Sequence, residues 1–149
     1  MLTAQEIAKS IISEFQSRED LITNLKLQKL LYYVQGWHLG LFGEPLFAED
    51  FEAWVHGPVI PDIYHSYKKY KWSPIVEETK KPNLEPKIDK HIIDVLDEYG
   101  METGWALERR THLEKPWILA RGGLPPTEEC IELITKESMR SFFKDLSHG

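Results

Sequence analysis

The chain has 149 residues, a length typical of one compact domain, so we expect a single domain over residues 1–149. No apolar run approaches the roughly 20 residues that a membrane-spanning helix needs. The formal net charge of −6 opposes a phosphate-binding surface as the main function. We therefore expect a protein partner, and neither direct nucleic-acid binding nor a membrane association.

The first two predicted helices begin at recognisable caps. Thr3 and Glu6 have the spacing of a capping box, and apolar residues then recur on one helical face. Thr23 or Asn24 can cap the second helix, whose apolar stripe continues as far as Leu41. The length of that stripe predicts that this second helix is the central one.

A change of pattern follows the second helix. Glycines and a proline break the helical period, and a weak alternation of apolar and polar residues predicts a short β-hairpin around residues 46–56. Pro61 then suits the first turn of a third helix. We expect Tyr64 and Tyr67 to share one face of that helix as an aromatic ridge.

The second half of the chain is also predicted to be helical. A charged, proline-rich loop is expected to be a flexible excursion before a fourth helix, which starts at Pro86 and stops at Gly100. Two short helices meet at a hinge between His112 and Pro116, and Thr135 caps a terminal helix. These elements predict a mainly α fold, a compact single-domain helical bundle.

Catalytic and metal chemistry have little support in the residue spacing. The six histidines lack the close pairs of a zinc site, so we expect no metal and no other cofactor. Cys130 is the only cysteine, which fits a reducing compartment, and it is interpreted as a small apolar filler. His56, Asp62 and His112 could be imagined as an acid–base site, but no motif specific to a hydrolase is present. We therefore expect no enzyme and no catalytic residue.

A basic segment leaves one alternative open. Lys68–Trp72, with the sequence KKYKW, interleaves cations with aromatic rings in the way that single-strand binders do, and Arg109 and Arg110 add positive charge. Lysines at the end of a helix also complement its dipole and keep a surface solvated. A nucleic-acid-binding phage or prophage regulator is therefore the alternative function, and a hydrolase is the third.

Three stretches of the sequence together resemble one family. They are KLQKLLYYVQGWHLGLFGEPLFAEDFEAWVHGPVIPDIYHSYKKY, LERRTHLEKPW and ITKESMRSFF. From about Lys26 to the last helix, the chain resembles the Panacea domain, the family of SocA-like antitoxins and GepA-like phage-associated proteins. Glu6, Lys9 and Glu14 interrupt the apolar residues of the N-terminus in a way that a signal peptide does not tolerate, so we expect a cytoplasmic protein. The resemblance implies a compact, mainly α antitoxin of a type II toxin–antitoxin pair. Such a protein would neutralise a cognate toxin, encoded by an adjacent gene, through direct protein–protein binding.

The candidate partner-binding residues cluster around a Gly-Pro turn and a Pro-Trp hinge. Two aromatic groups would project from the two sides of the turn, and the hinge would be either buried or a second rim of the same site. In the competing interpretation these aromatic residues only lock the hairpin onto the central helix. The candidates are Trp54, His56, Gly57, Pro58, Tyr64, Tyr67, Thr111, His112, Pro116 and Trp117.

Overall fold

A computed structural model of the chain describes residues 1–149. It contains seven α-helices, one short 3-10 helix and three short strands, which confirms the predicted mainly α bundle. Buried apolar side chains from all seven helices form one continuous core. None of the helices combines the length and apolar composition that crossing a bilayer requires. The elements are α1 (Ala4–Ser17), α2 (Asn24–Phe42), β1 (Phe51–Trp54), β2 (Gly57–Val59), α3 (Pro61–Tyr67), a 3-10 helix (Lys68–Tyr70), α4 (Pro86–Tyr99), α5 (Gly104–Thr111), α6 (Lys115–Arg121), β3 (Leu133–Ile134) and α7 (Lys136–His148).

Side-chain caps fix the starts of three helices where the sequence predicts them. The Thr3 hydroxyl accepts the Glu6 amide hydrogen while the Glu6 carboxylate accepts that of Thr3, which completes the capping box of α1. Thr23 caps α2 and Thr135 caps α7 by accepting backbone N–H groups of their first turns. These bonds satisfy amides that no helical carbonyl can reach.

Helix α2 lies at the centre of the molecule and packs against α1, α4, α5 and α7. It approaches α7 most closely at Gly36 and Gly40, where there is no room for a side chain. A methyl group added at Gly36 or Gly40 would lie only 2.1 Å or 2.7 Å from atoms of Phe143. The central position of α2 is confirmed. The predicted extent of its buried stripe is wrong at Leu41, which is 53% exposed because the last turn runs past the core.

The β-hairpin is present, but it lies a few residues later than residues 46–56. Trp54 pairs with Gly57, so the tight turn consists of Val55 and His56, and Gly57 and Pro58 belong to β2 rather than to the turn. Antiparallel β3, which the sequence analysis does not predict, pairs with the other edge of β1. The hairpin is thereby tied to the segment that leads into α7.

Helix α3 does not display the predicted aromatic ridge. Tyr67 is buried, and its hydroxyl accepts a hydrogen bond from the Gln5 amide at 3.0 Å. Tyr64 is only half-buried and packs beside Trp54. Because this short helix buries Ile63 and Tyr67 at i, i+4 spacing, Tyr64 lies at the edge of the buried face.

The charged loop before α4 lies against the domain. The Ile75 amide donates to the Ile22 carbonyl at 2.8 Å, and the Gln16 side chain bonds the backbone of Glu77 and Thr79. Ile75 itself is buried in the core. The predicted excursion is therefore a loop that two elements of the domain hold in place.

Candidate functional site

A groove of about 370 Å³ opens beside the hairpin turn. It lies between the hairpin, the first turn of α2 and the segment formed by α3 and the 3-10 helix. Its volume falls within the usual range of binding clefts. We call it the aromatic–lysine groove; its lining residues are Asn24, Leu25, Gln28, Trp54, His56, Val59, Tyr64, Lys68, Lys71 and Trp72.

Two pairs of rings form the walls of the aromatic–lysine groove. Trp54 and Tyr64 meet edge to face with ring centroids 5.0 Å apart, and His56 and Trp72 do so at 5.6 Å. The Trp54 indole N–H donates to the Glu52 carboxylate at 2.7 Å, so its polar atom is satisfied within the chain. Trp72 is 71% exposed and offers most of its apolar surface to whatever enters the groove.

The turn that carries Trp72 is strained and held in place. Lys71 has φ of +54° and ψ of −121°, a conformation that side-chain-bearing residues rarely adopt. Its amide donates to the Lys68 carbonyl at 3.0 Å, and an antiparallel bridge joins Thr23 to Pro74 just beyond the turn. Backbone strain of this kind persists only where neighbouring structure enforces it, and it concentrates at functional sites.

The two lysines of the groove carry uncompensated charge. Neither Lys68 nor Lys71 has a carboxylate within 4.0 Å, whereas the neighbouring Lys69 lies 3.8 Å from Glu77. Both side chains are exposed. The rim of the groove is therefore locally cationic on a chain whose overall charge is negative.

Buried amides form the floor of the groove. The Gln28 side-chain oxygen accepts the Ile60 amide hydrogen at 3.0 Å, and its nitrogen donates to Asn24 at 3.1 Å. Asn24 in turn donates to the Tyr64 carbonyl at 3.1 Å. The start of α2 is thus bonded directly to α3, which positions Tyr64 on the groove wall.

Four side chains hold the backbone of the hairpin, and we call them the hairpin clamp. Each one donates to a carbonyl of the hairpin, so the polar atoms of the strands that β-pairing leaves free are satisfied. The four bonds run from Lys29 Nζ to Pro58 O (2.7 Å), from His112 Nε2 to Val55 O (2.8 Å), from Trp117 Nε1 to Trp54 O (2.8 Å) and from Arg121 Nη1 to Ala53 O (2.8 Å).

The members of the hairpin clamp on α5 and α6 also stack on one another. The His112 and Trp117 rings lie nearly parallel with centroids 4.1 Å apart, and the Arg121 guanidinium lies 4.6 Å from the Trp117 ring. A carbonyl can only accept, so His112 carries a hydrogen on Nε2. Burial lowers the pKa of His112, although the bond to the carbonyl of Val55 opposes that shift. Burial therefore favours the neutral ring.

Lys29 is fully buried beneath β2. Burial lowers its pKa to about 7, and the nearby Glu108 carboxylate acts in the opposite direction. Gly57 fits over it at φ +96°, because a methyl group there would lie 2.6 Å from Lys29 Cε and 2.8 Å from Thr111 Oγ1. Only glycine allows the strand to approach Lys29 this closely.

His56 connects the hairpin turn to α5. Its Nδ1 lies 3.0 Å from Glu108 Oε1, while 55% of the His56 side chain remains exposed. The Glu108 side chain is mostly covered. The contact therefore holds the turn in place without removing the imidazole from the groove surface.

A buried acid under α6 was not found by sequence reasoning. Glu114 accepts a hydrogen bond from the Tyr33 hydroxyl at 3.1 Å, and the Tyr33 ring stacks on Tyr99 at 4.0 Å. Burial raises the pKa of Glu114 to about 7, and the Tyr33 bond partly opposes that shift. Glu114 Oε1 and the Tyr32 hydroxyl are buried without a hydrogen-bond partner. This region is a polar pocket inside the core rather than a surface site.

The structure divides the predicted site residues into three groups. Trp54, His56 and Tyr64 line the aromatic–lysine groove. His112 is half-buried in the hairpin clamp. The others are buried and do not reach the groove: Gly57, Pro58, Tyr67, Thr111, Pro116 and Trp117.

The main residues missing from the predicted site are Lys68, Lys71 and Trp72. All three residues belong to the KKYKW segment. Its pattern of cations and aromatic rings is typical of single-strand binders and of solvated helix ends, and it does not indicate the wall of a groove that begins at Trp54. Elsewhere, Cys130 is a free, buried thiol in the core, as predicted. No three His, Cys, Asp or Glu side chains lie close enough together to hold a metal ion.

The fold and the groove define a class of mainly α domains that present a small clamped hairpin beside an exposed aromatic surface. Residues 27–118 match the family described as antitoxin SocA-like, Panacea domain. The match covers more than half of the chain, and the chain belongs to this family. The matched residues include eight of the ten that line the aromatic–lysine groove, and they end before α7, into which the resemblance in the sequence extends.

A curated relative is the protein named Antitoxin SocA of Caulobacter vibrioides (strain NA1000 / CB15N). It is 39% identical over 64 residues, which represent 43% of this chain and 34% of the relative. The chain therefore matches about a third of the length of that protein. No solved structure matches the chain.

Proposed function

We propose that the protein is the antitoxin of a type II toxin–antitoxin pair and that it neutralises a toxin encoded by an adjacent gene. Neutralisation occurs by direct protein contact in the cytoplasm, without catalysis. Membership of the SocA-like Panacea family and the printed name of the relative support an antitoxin role. The observation that carries the binding surface is Trp72, which is 71% exposed on a held turn beside Trp54 and Tyr64.

Physical reasons favour the aromatic–lysine groove as the contact surface. Binding energy concentrates in a few tryptophan, tyrosine and arginine side chains that become buried on association. The backbone of the turn that carries Trp72 is already held by the Lys71–Lys68 hydrogen bond and the Thr23–Pro74 bridge, so association requires little further ordering of that turn. His56 and Tyr64 provide adjacent surface on elements that the hairpin clamp and the amide floor hold in place.

Co-expression with the neighbouring gene tests this proposal. We expect that gene to arrest growth alone, growth to recover when the wild-type chain is present, and the two proteins to co-purify. Trp72→Ala should lose rescue and co-purification. Trp105→Ala provides the matched control, since Trp105 is 61% exposed but lies outside the groove.

Two results would contradict the proposal in different ways. A harmless neighbour that does not associate with the chain would remove the antitoxin function itself. Rescue that survives Trp72→Ala but fails with Trp105→Ala would place the contact surface on α5 instead of the groove.

A further inference from the structure

We infer that the aromatic–lysine groove receives an acidic segment of the partner that carries at least one large apolar side chain. This inference rests on the proposed function and specifies the chemistry of the docked segment. From the net charge of −6 alone, one would expect the opposite, a basic partner surface. The local charge of the groove reverses that expectation.

The cationic half of the inference comes from Lys68 and Lys71. Both line the groove, both are exposed, and neither has a carboxylate within 4.0 Å, whereas the adjacent Lys69, which does not line the groove, lies 3.8 Å from Glu77. Complementary charge across an interface steers association and determines which segment is accepted. Two unpaired ammonium groups at one rim therefore select aspartate or glutamate side chains.

The apolar half comes from the groove wall between the lysines and the hairpin. Trp54, Tyr64 and Val59 present carbon surface there, and the exposed ring of Trp72 closes one side. The polar atoms behind them are already occupied, because Trp54 donates to Glu52 and Gln28 accepts from Ile60. An apolar side chain can enter this space without breaking a hydrogen bond within the chain and without burying an unpaired polar group.

The same wall disfavours a nucleic-acid strand. Glu52 and Glu108 hold their carboxylates against Trp54 and His56, at 2.7 Å and 3.0 Å, and so place two negative charges, which repel phosphate, behind the groove wall. The net charge of the chain adds to that repulsion. A peptide that places its carboxylates only at Lys68 and Lys71 avoids both.

Zero-length carbodiimide cross-linking of the complex with the neighbouring gene product tests the chemistry directly. The reagent joins a lysine amine to a carboxylate that is in contact with it. We expect mass spectrometry to find links from Lys68 or Lys71 to aspartate or glutamate of the partner. Links that run only from carboxylates of this chain to partner lysines would overturn the inference.

Charge reversal provides an independent measurement. Lys68→Glu with Lys71→Glu should weaken binding to the purified partner roughly 30-fold or more at low salt, and the glutamine pair should weaken it less. Lys80→Glu with Lys87→Glu is the control, because these exposed lysines lie outside the groove and change the net charge equally. Equal loss in both pairs would show that only overall charge matters and would overturn the inference.

The failures of the two proposals remain distinguishable. If the wild-type chain does not bind the neighbouring product, both the antitoxin function and the docked segment are wrong. If it binds, and reversal at Lys68 and Lys71 has no effect, only the acidic segment is wrong. A labelled single-stranded oligodeoxythymidine provides the last arm: binding that the same reversal abolishes would assign the groove to nucleic acid instead.

Discussion

The hairpin clamp and the aromatic–lysine groove use the same kinds of residue beside the same hairpin. In the clamp, the nitrogens of Lys29, Trp117 and Arg121 donate to backbone carbonyls. In the groove, Lys68 and Lys71 have no carboxylate partner, and their side chains are exposed. The two regions therefore differ in what their polar side chains contact, and not in which residue types they contain. Clamp side chains contact the backbone of the chain itself, and the groove lysines are exposed to solvent.

This difference has an energetic consequence. A buried donor that holds a buried carbonyl cannot be removed without leaving the carbonyl unpaired, which costs about 1 to 3 kcal/mol for each group. An exposed side chain with no internal partner contributes little to folding, and its replacement usually changes stability by less than about 0.5 kcal/mol. Substitutions in the clamp should therefore alter stability, and substitutions in the groove should alter binding.

The largest effect is expected from Arg121→Met. Arg121 is buried and donates to the carbonyls of Ala53 and Pro125 at 2.8 Å, and also to that of Glu128. Losing these bonds should reduce the free energy of unfolding by about 4 kcal/mol, measured by urea denaturation. Arg109→Met, at an exposed arginine, should change it by less than about 0.5 kcal/mol. Similar values for the two variants would show that the clamp contributes little.

A smaller effect is expected at Gly57. Gly57→Ala places a methyl group 2.6 Å from Lys29 and also forces alanine into φ +96°, so we expect a loss of about 3 kcal/mol. Gly123→Ala separates the two causes, because Gly123 has φ +89° with no atom within 4 Å of the added methyl group. The Gly123→Ala variant should lose only about 1 kcal/mol of unfolding free energy, the cost of placing alanine at a positive φ. If thermal melting shows the same loss of stability for Gly57→Ala and Gly123→Ala, Lys29 moves away from the added methyl group without an energetic penalty.

The local part of the fold was accessible from the sequence. Thr3 and Thr135 cap the helices that they are predicted to cap, and Thr23, one of the two candidates, caps α2; each cap and its amide lie three residues apart. Pro86 and the glycine that follows α4 likewise mark its ends. These signals act within one turn of helix, so no knowledge of tertiary contacts is needed to interpret them.

The hairpin clamp was not accessible in the same way. His112 bonds the carbonyl of Val55, and nothing near either residue in the sequence indicates the other. The sequence around His112 and Trp117 is compatible with a buried hinge or with a second rim of the site. Only the hydrogen-bond partners of the two side chains distinguish these interpretations. Both side chains donate to the hairpin backbone, which favours the hinge.

Only part of the groove could be predicted from the sequence. Trp54, His56 and Tyr64, which the sequence analysis proposes as partner-binding residues, all line the groove. Trp72 directly follows Lys71, whose positive φ is a non-glycine conformation that composition does not predict. The placement of Tyr67 in a ridge failed for a related reason, since the period of a helix does not say which of its faces the core covers.

A third prediction concerns Glu114, whose role is structural like that of the clamp. Burial raises the pKa of Glu114 to about 7 in the folded state, above the 4.5 of a free glutamate, so its contribution to stability is complete below about pH 4.5 and is lost as pH rises through 7. Within that window the free energy of unfolding should fall on the order of 1 kcal/mol per pH unit. Glu114→Gln should remove this slope, while Glu137→Gln at the exposed start of α7 should retain it. An unchanged slope in Glu114→Gln would assign the pH dependence to another group.

The smallest effect on stability is expected in the groove, where Trp72→Ala gives the sharpest contrast with the clamp. Trp72 is 71% exposed, so its removal should change the free energy of unfolding by less than about 0.5 kcal/mol. If Trp72 is the proposed binding anchor, its loss should cost about 2 kcal/mol, or roughly 30-fold in affinity for the product of the neighbouring gene. Trp105→Ala, with 61% exposure, should leave both quantities near their wild-type values. Calorimetric titration beside thermal melting measures the two effects. A Trp72→Ala protein that unfolds easily would place this residue in the same structural role as Trp117, and the contrast between the groove and the clamp would then disappear.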